Sequence, residues 1–389
     1  MLEPGEFHLG KRLDLYRAKG RLRGLRDDRA VQVDLCSNDY LGFARSGELW
    51  RRWRGALNES EGELGSTGSR LLTGHSQRVE ALEEQVACMF RSVSALVFPS
   101  GYSLNLGLLQ ALSQPKDIVL MDQFMHASAK DGMRLGRGQG FFFRHNDVDH
   151  LGERLRTFRR QGDVENLYVV VESIYSMSGE RAPLVEISRL CHQFGASLIV
   201  DEAHAMGTVG TEGLGCVVDL GLEKEVFARV MTFGKAFGAA GAALLGRSRL
   251  RQYMINFCHS FIYSTAMSHP SLLLIQEALQ FFQETKRAVL SELRENQREF
   301  MRTFSFAGER DRPVYNFRLP CAEALSECAR ELEQSGISVL PIRPPTVKKG
   351  LECLRVSIHT FNTRSEFEGL YKVLKNYEGF WRPFFYHGN

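Results

Sequence analysis

Short runs of apolar, β-branched residues alternate with longer stretches of mixed polarity through the middle of the chain. The runs are SALVFPSG, KDIVLMD, NLYVVVES, ASLIVDEAH and ARVMTFG, and segments typical of helices separate them. This alternation predicts βαβ units, and runs that are apolar at every position are typical of strands covered on both faces. We therefore expect a large α/β lobe built on a mostly parallel sheet.

The pattern changes near Ser268. A long helical segment, SLLLIQEALQFFQETKRAVLSELRENQREF, is followed by short apolar runs such as VYNFRLP and CLRVSIH, interspersed with helices. This mixture predicts a smaller α+β lobe at the C-terminus. The domains expected are an N-terminal arm and helix over residues 1–45, a large α/β domain over residues 46–275 and a small domain over residues 276–389.

Composition narrows the class of protein. The chain has 389 residues, 43% of them hydrophobic, and a formal net charge of +3, so charge alone gives no reason to expect nucleic acid or an anionic membrane as the partner. The cysteines form no C-x-x-C pair and no cluster with histidine at zinc spacing, which favours reduced thiols and predicts no metal site. No segment resembles a signal peptide or a membrane span. The sequence predicts a cytoplasmic protein.

Lys235 stands in the apolar stretch TFGKAFGAAGAALLG. An ammonium group in such surroundings loses hydration that other contacts must replace. In one interpretation the long side chain carries its charge to solvent from the edge of an apolar segment. In the other, the site lowers the pKa of the lysine, so that a neutral amine can form a Schiff base with a carbonyl. The stretch alone leaves both open.

Ionisable residues follow the ASLIVDEAH strand. Asp201 and His204 stand at its carboxyl end, where open α/β sheets bind ligands. An acidic strand end with a solvated histidine has the same pattern. Together with Lys235, however, an aspartate could keep a pyridine nitrogen protonated, which is the electron sink of pyridoxal phosphate chemistry.

Two further segments are candidates for a phosphate and an aromatic ligand. Ser100, Gly101 and Tyr102 stand between a strand and a helix start, where backbone N–H groups can approach a phosphate, although an ordinary turn has the same composition. Thr232 adds a hydroxyl. His126 follows another strand and could stack on a flat ligand, or be an ordinary surface or core residue. There is no Walker A, H-E-x-x-H or G-x-S-x-G motif, and the glycines after His204 do not match G-x-G-x-x-G.

Taken together, these motifs resemble the α-oxoamine synthases, a family of fold-type I (aspartate aminotransferase-like) pyridoxal-phosphate enzymes. The similar segments occur in the family's order from about residue 12 to residue 375, and they are CSNDYLGF, GSTGSRLLTGH, FPSGYSLN, HASAKDG, ESIYSMSGERAPL, VDEAHAMGTVGTEGLG, TFGKAFGAAGAALLG and FIYSTAM. The segments IRPPTVKKGLECLRVSIH and FRHNDVDHL resemble the branch that joins L-alanine to a pimeloyl thioester, on coenzyme A or a carrier protein.

The resemblance implies a role for each matching residue. Lys235 would carry pyridoxal 5'-phosphate as a Schiff base, Asp201 would pair with its ring nitrogen, His204 would hydrogen-bond its phenolic oxygen and His126 would stack on its ring. The remaining cofactor-binding positions would be Ser100, Gly101, Tyr102, Ser176 and Thr232, with Ser264 and Thr265 reaching the phosphate of the neighbouring subunit. The resemblance thus implies a homodimer with shared active sites.

For the substrates, the resemblance implies that Arg355 binds the amino-acid carboxylate and that Asn38 and Thr346 lie on the substrate side. Arg17, rather than Arg12, would meet the acyl substrate. The chain departs from the family in having Ser178 where aspartate is frequent and in a short segment over residues 300–319. Two alternatives stay open: a sister synthase that uses glycine or serine, and a non-catalytic scaffold subunit.

Overall fold

The structure is a computed structural model that describes residues 4–18, 22, 24–25, 31–60, 64–306, 312–319, 321–344, 347, 350–377 and 382–383. The helices are α1 Pro4–Ala18, α2 Gly47–Glu59, α3 Gln77–Met89, α4 Gly101–Leu112, α5 Ala127–Leu135, α6 Val148–Arg160, α7 Leu184–Phe194, α8 Cys216–Asp219, α9 Ser248–Phe257, α10 His259–Ile262, α11 His269–Thr303, α12 Ala322–Gln334 and α13 Arg364–Leu374. The strands are β1 Val33–Asp34, β2 Ser94–Phe98, β3 Ile118–Asp122, β4 Gln139–Phe143, β5 Leu167–Glu172, β6 Ser197–Asp201, β7 Val226–Thr232, β8 Ala242–Gly246, β9 Val314–Arg318, β10 Ile337–Ser338, β11 Leu340–Ile342, β12 Cys353–Ser357 and β13 Arg382–Pro383.

The large lobe is built on a seven-stranded sheet in the order β2-β8-β7-β6-β5-β3-β4. Every pair is parallel except those of β8, which runs antiparallel to β2 and β7. Buried side chains from both faces of the sheet form three apolar clusters with the surrounding helices. The predicted α/β fold with a mostly parallel sheet is confirmed, and the five apolar runs became β2, β3, β5, β6 and β7.

A second, antiparallel sheet in the order β11-β12-β9-β13 forms the smaller lobe, with its own apolar cluster. Helix α11 joins the two lobes, because Leu272 to Leu293 pack in a cluster of the large lobe and Phe300 packs in that of the small lobe. The proposed domain boundary at residues 275/276 falls inside this helix. The short strand β1 pairs with β10, so the segment before α2 is tied to the small lobe.

Within the described residues, no helix combines the length and the apolar composition needed to cross a membrane. This holds for α11 as well, although it is 35 residues long, because charged residues recur along it.

Candidate active site

The candidate active site lies at the carboxyl edge of the large sheet. Strands β2, β3, β5, β6 and β7 run parallel to one another, so the residues that follow them meet at this edge. The meeting brings together the segments that carry Ser100, His126, Ser176, Asp201 and Lys235, which are far apart in the sequence. The fold therefore assembles most of the predicted residues before any side-chain contact is considered.

The start of α4 and the end of β7 form a cradle suited to a phosphate. Ser100 is the N-cap of α4, and its Oγ accepts a hydrogen bond from the Ser103 N–H at 3.1 Å. The first N–H groups of a helix lack intrahelical acceptors and favour anions. Thr232 Oγ1 is buried without a hydrogen-bond partner, and a Cβ added at Gly101 would stand 2.5 Å from Thr232 Cγ2. The hydroxyl without a partner and the requirement for glycine fit a bound phosphate oxygen.

The hydroxyl of Tyr102, the third predicted residue of this segment, points towards α5 and not into the phosphate cradle. The hydroxyl donates to Asp131 Oδ2 on α5 at 2.5 Å, and the side chain is exposed. This contact raises the pKa of Tyr102, because the neutral phenol serves as the donor to the carboxylate. Tyr102 thus joins α4 to α5 at the rim of the site.

A chain of hydrogen bonds connects Asp201 to His126. Asn105 Nδ2 donates to Asp201 Oδ2 at 2.7 Å and to Ser128 Oγ at 3.1 Å, and Ser128 Oγ lies 2.8 Å from His126 Nδ1. The other carboxylate oxygen, Asp201 Oδ1, accepts from the Ala203 N–H at 3.0 Å. These contacts hold the buried carboxylate in place as the last residue of β6, and they orient the His126 ring at the start of α5.

Glu172 ends β5 directly beside Asp201, its register partner on β6. Its Oε2 accepts the Ser176 N–H at 2.9 Å, and its Oε1 has no hydrogen-bond partner among the described residues. Burial, and then the charge of Asp201, raise the pKa of Glu172 to about 8. Protonation of Glu172 removes the repulsion between two neighbouring buried carboxyl groups, and the hydrogen bond from Ser176 fixes the loop after β5.

Lys235 follows β7 and is partly buried. Burial is the largest cause that lowers its pKa, to about 8, and the charge of Arg355 acts in the same direction, whereas Asp201 and Glu172 oppose the shift. Within the described part of the chain, the Lys235 side chain forms no hydrogen bond or ion pair, although its backbone carbonyl accepts the Gly238 N–H at 3.0 Å. A pKa of about 8 leaves a minor fraction of this lysine neutral at pH 7, which is far more than for an ordinary lysine, and the neutral amine is the form that Schiff-base formation requires.

His204 is buried and contacts Tyr40, a residue of the N-terminal segment. The Tyr40 hydroxyl lies 2.7 Å from His204 Nδ1 and 3.1 Å from Asn38 Oδ1. Burial, followed by the charges of Lys235 and Arg355, lowers the pKa of His204 well below its usual value, so the ring is neutral. Burial also raises the pKa of Tyr40 to about 12, so the phenol keeps its proton.

Arg355 on β12 reaches this site from the small lobe. It is 2% exposed, and its three nitrogens donate to neutral acceptors: Nε to Ser176 O at 2.8 Å, Nη1 to Ser357 Oγ at 3.1 Å and Nη2 to Asn38 Oδ1 at 2.9 Å. None of the described carboxylates forms an ion pair with it. A buried guanidinium without a counterion favours an anionic ligand, and its planar geometry matches a carboxylate.

The structure does not bring every predicted residue to this cluster. Ser264 and Thr265 follow α10 and line a cavity with Arg70 and Gly74, beside the loop at residues 65–75. Arg17 on α1 is exposed and pairs with Asp14, and Arg12 on the same helix is also exposed. Thr346 lies outside the described residues.

Ser178 stands in the loop after β5. It is buried, and its Oγ accepts the Glu180 N–H at 3.3 Å. Gly179 follows with φ +70, and a Cβ there would stand 2.1 Å from Val314 O on β9. The loop thus packs closely on the small lobe at a position that only glycine fits.

Several residues of the site were not predicted: Tyr40, Asn105, Ser128 and Glu172. Glu172 ends the NLYVVVES strand as Asp201 ends ASLIVDEAH, so the same strand-end argument could have found it. Tyr40 carried no such signal, because its contact with His204 is formed only by the fold.

Comparison with known proteins places the chain in a family. It matches the model of "Aminotransferase class I and II" over residues 30–369. It is 34% identical to an 8-amino-7-oxononanoate synthase of Emericella nidulans over 88% of each chain, and 36% identical to one of Alkalilimnicola ehrlichii over 90% of this chain and 89% of that protein. A serine palmitoyltransferase from S. paucimobilis, solved with a PLP–myriocin aldimine, has a TM-score of 0.83 and 24% identity over 97% of this chain and 98% of that one.

The chain therefore belongs to the aminotransferase class I and II family and has the fold-type I fold of pyridoxal-phosphate-dependent transferases. The comparisons confirm the predicted enzyme class, a pyridoxal-phosphate-dependent transferase, and its predicted cofactor. They also confirm the family resemblance that the sequence motifs indicated. The relatives named 8-amino-7-oxononanoate synthase are those that the sequence motifs favoured within the family.

Proposed function

We propose that the chain condenses L-alanine with a pimeloyl thioester, on coenzyme A or a carrier protein, and releases 8-amino-7-oxononanoate, CO2 and the free thiol, a step of biotin biosynthesis. The observation that carries the proposal is the buried Arg355 guanidinium, which has no carboxylate partner among the described residues and shares one site with Lys235, whose pKa is lowered. It supports a substrate that brings both a carboxylate and a primary amine, as an α-amino acid does. The names and identities of the two relatives support the choice of alanine and a pimeloyl group.

The residues present fit pyridoxal phosphate. Thr232, Ser100 and Gly101 would hold the phosphate, Asp201 the ring nitrogen, His204 the phenolic oxygen and His126 the ring face. When bound, the cofactor supplies an aromatic ring that withdraws electrons from the substrate Cα. The hydrogen bonds from Asn105 and Ala203 keep Asp201 fixed for this contact.

The chain's own groups would perform the remaining steps. Arg355 binds the substrate carboxylate, and its bond to Ser176 O keeps the guanidinium beside the cofactor-side loop. Lys235 would take the proton from the substrate Cα, because its lowered pKa favours the neutral amine that accepts a proton. The carbon nucleophile attacks the thioester carbonyl, the thiolate leaves, and loss of CO2 follows. Arg17 would meet the acyl substrate, and Thr346 and Asn38 would face the substrates.

A homodimer with shared active sites is part of the proposal. Ser264 and Thr265 lie beside exposed apolar side chains, Leu71, Leu72 and Tyr263, and a partner subunit would cover these and receive the two hydroxyls at its phosphate site. Mixing Lys235→Ala with a Ser264→Ala/Thr265→Ala variant tests this. A hybrid dimer would contain one intact site and regain activity, whereas shared sites are rejected if the mixed sample stays inactive while hybrids form.

The function is tested with alanine, glycine and serine against pimeloyl, acetyl and palmitoyl thioesters. Burial of the alanine methyl group is worth about 1 kcal/mol, so we expect roughly tenfold or higher kcat/KM for alanine over glycine, with the pimeloyl donor preferred. A preference for glycine or serine would instead identify a sister synthase. A protein that binds the cofactor and turns over no amino acid would be a scaffold subunit.

A further inference from the structure

The Tyr40 hydroxyl lies between two groups that compete for its single proton. His204 Nδ1 is 2.7 Å away and Asn38 Oδ1 is 3.1 Å away. Asn38 Oδ1 also accepts from Arg355 Nη2 at 2.9 Å. A continuous path therefore runs from Arg355 through Asn38 and Tyr40 to His204.

The two distances favour His204 Nδ1 over Asn38 Oδ1 as the acceptor of this proton. Hydrogen bonds donated by hydroxyl groups are usually 2.5–3.0 Å long, so the 3.1 Å contact with Asn38 exceeds the usual range, whereas the 2.7 Å contact with His204 falls within it. Asn38 Oδ1 already has a charged donor in Arg355. Tyr40 therefore donates to His204 Nδ1.

A neutral imidazole carries one proton, so a ring that accepts at Nδ1 must carry its proton on Nε2. Burial and the nearby charges of Lys235 and Arg355 keep His204 in this neutral form. The ring can then present an N–H donor to a ligand oxygen that bears negative charge.

We propose that Tyr40 is a positioning residue that selects the Nε2–H tautomer of His204, so that the histidine donates a hydrogen bond to an anionic aromatic oxygen. The inference rests on the proposed function only for the identity of that oxygen, the phenolic oxygen of the cofactor. The tautomer itself is a property of the protein without any ligand.

The first test uses the apoprotein labelled with 15N-histidine. NMR distinguishes protonated from unprotonated ring nitrogens, and a His204→Gln variant assigns the signal. In the parent we expect Nε2 to be protonated. In Tyr40→Phe, which removes only the hydroxyl, the ratio of the two tautomers should change by about tenfold, as the loss of one buried hydrogen bond implies. An unchanged ratio would overturn the proposal.

Tyr253→Phe is the matched control, because it also loses one hydroxyl hydrogen bond, to Ala111 O at 3.0 Å, outside the site. It should leave the His204 signals unchanged.

A second variant, Asn38→Asp, tests the tautomer of His204 through the competing acceptor of the Tyr40 proton. This test does not depend on the folding of Tyr40→Phe. The carboxylate at position 38 is a stronger acceptor for the Tyr40 proton, so His204 Nδ1 should become the protonated nitrogen. Retention of the Nε2–H tautomer in Asn38→Asp would also contradict the proposal.

The second readout is the kinetics of the holoenzyme with alanine. Tyr40→Phe should lower kcat about tenfold, because a donor at the ring oxygen is lost, and change KM less than about threefold, because Arg355 keeps its contacts with Ser176 and Ser357. A rise in KM with an unchanged kcat would contradict the assigned role. If the parent enzyme does not act on amino acids at all, the proposed function fails, while the tautomer measurement still decides this inference.

Discussion

Two basic side chains close to each other in the sequence have opposite environments. Arg229 on β7 is buried with every nitrogen engaged: Nε donates to Glu202 Oε2 at 2.9 Å, Nη1 to Phe90 O at 2.7 Å and Nη2 to Leu214 O at 3.2 Å. Lys235, just after the same strand, has no such partner among the described residues, and its pKa is lowered to about 8.

The different environments indicate different roles: Arg229 stabilises the fold, whereas Lys235 is available to react with a ligand. Glu202 and the backbone carbonyls replace the hydration that the buried Arg229 guanidinium loses, so Arg229 stabilises the fold around the end of β6. Lys235 lacks this replacement, so the folded protein disfavours its charged form and exposes a neutral amine to a ligand. Substitutions at the two positions should therefore affect different properties, activity at Lys235 and stability at Arg229.

The largest effect is expected for Lys235→Ala. Turnover should fall to background, because the other described amine near this edge of the sheet, Lys130, is held by a hydrogen bond to Gln123 O at 2.8 Å and does not replace Lys235 in joining the cofactor and moving the proton. Far-UV circular dichroism should stay close to that of the parent apoprotein, and the thermal midpoint should not fall below it. Borohydride reduction of the holoenzyme should fix the cofactor to the peptide that contains Lys235, and label on another lysine would refute the assignment.

Arg229→Met should leave the chemistry in place and destabilise the protein. Removing one partner of a buried ion pair typically costs about 3–5 kcal/mol, so the free energy of unfolding in urea should fall by that amount. Arg51→Met, which breaks an exposed pair with Glu48, is the control and should cost less than about 1 kcal/mol. A similarly small loss for Arg229→Met would show that the buried pair is not structural.

The position of Lys235 at the edge of the sheet could be predicted from the sequence, whereas the contacts of Arg229 could not. Lys235, Asp201 and His126 follow apolar strand runs, and the edge at which parallel strands end is a general consequence of the fold. Strand β8 was not predicted, because Ala-Ala-Leu-Leu-Gly has no β preference and becomes a strand through its pairing with β2 and β7.

Long-range contacts explain what the sequence could not predict. The lowered pKa of Lys235 depends partly on Arg355 of the small lobe, and Tyr40 meets His204 only after the N-terminal segment packs between the lobes. The Arg229 ion pair with Glu202 is likewise formed by two neighbouring strands. Local patterns identify strand ends, but they do not show which side chains will be paired there.

Arg355 is a third buried basic residue, without a carboxylate partner among the described residues, and its binding of the substrate carboxylate can be tested. Arg355→Ala should raise the KM for alanine by about 10- to 100-fold, because a charge-assisted, two-point contact with the carboxylate is lost. Arg355→Lys keeps the charge without the planar geometry and should recover little of this loss. Steady-state kinetics of each variant with alanine measure the change in KM. Unchanged KM values would place the carboxylate elsewhere.

The smallest expected effect is a pH dependence of stability that arises from Lys235 alone. The pKa of Lys235 is about 8 in the folded protein and that of an ordinary lysine is 10.5, so between these values the unfolded chain binds more protons than the folded one. The free energy of unfolding should therefore rise with pH through this window in the parent apoprotein, whereas Lys235→Met, which lacks the group, should not show this component. We expect the stability advantage of Lys235→Met to shrink by about 1 kcal/mol per pH unit between pH 8 and pH 10 and to fall below about 1 kcal/mol at pH 10. Comparing the two in a Glu172→Gln background removes the neighbouring carboxyl, whose pKa is also about 8. Urea denaturation at each pH measures the difference, and an advantage that stays constant from pH 7 to pH 10 would mean that Lys235 keeps its charge as Arg229 does.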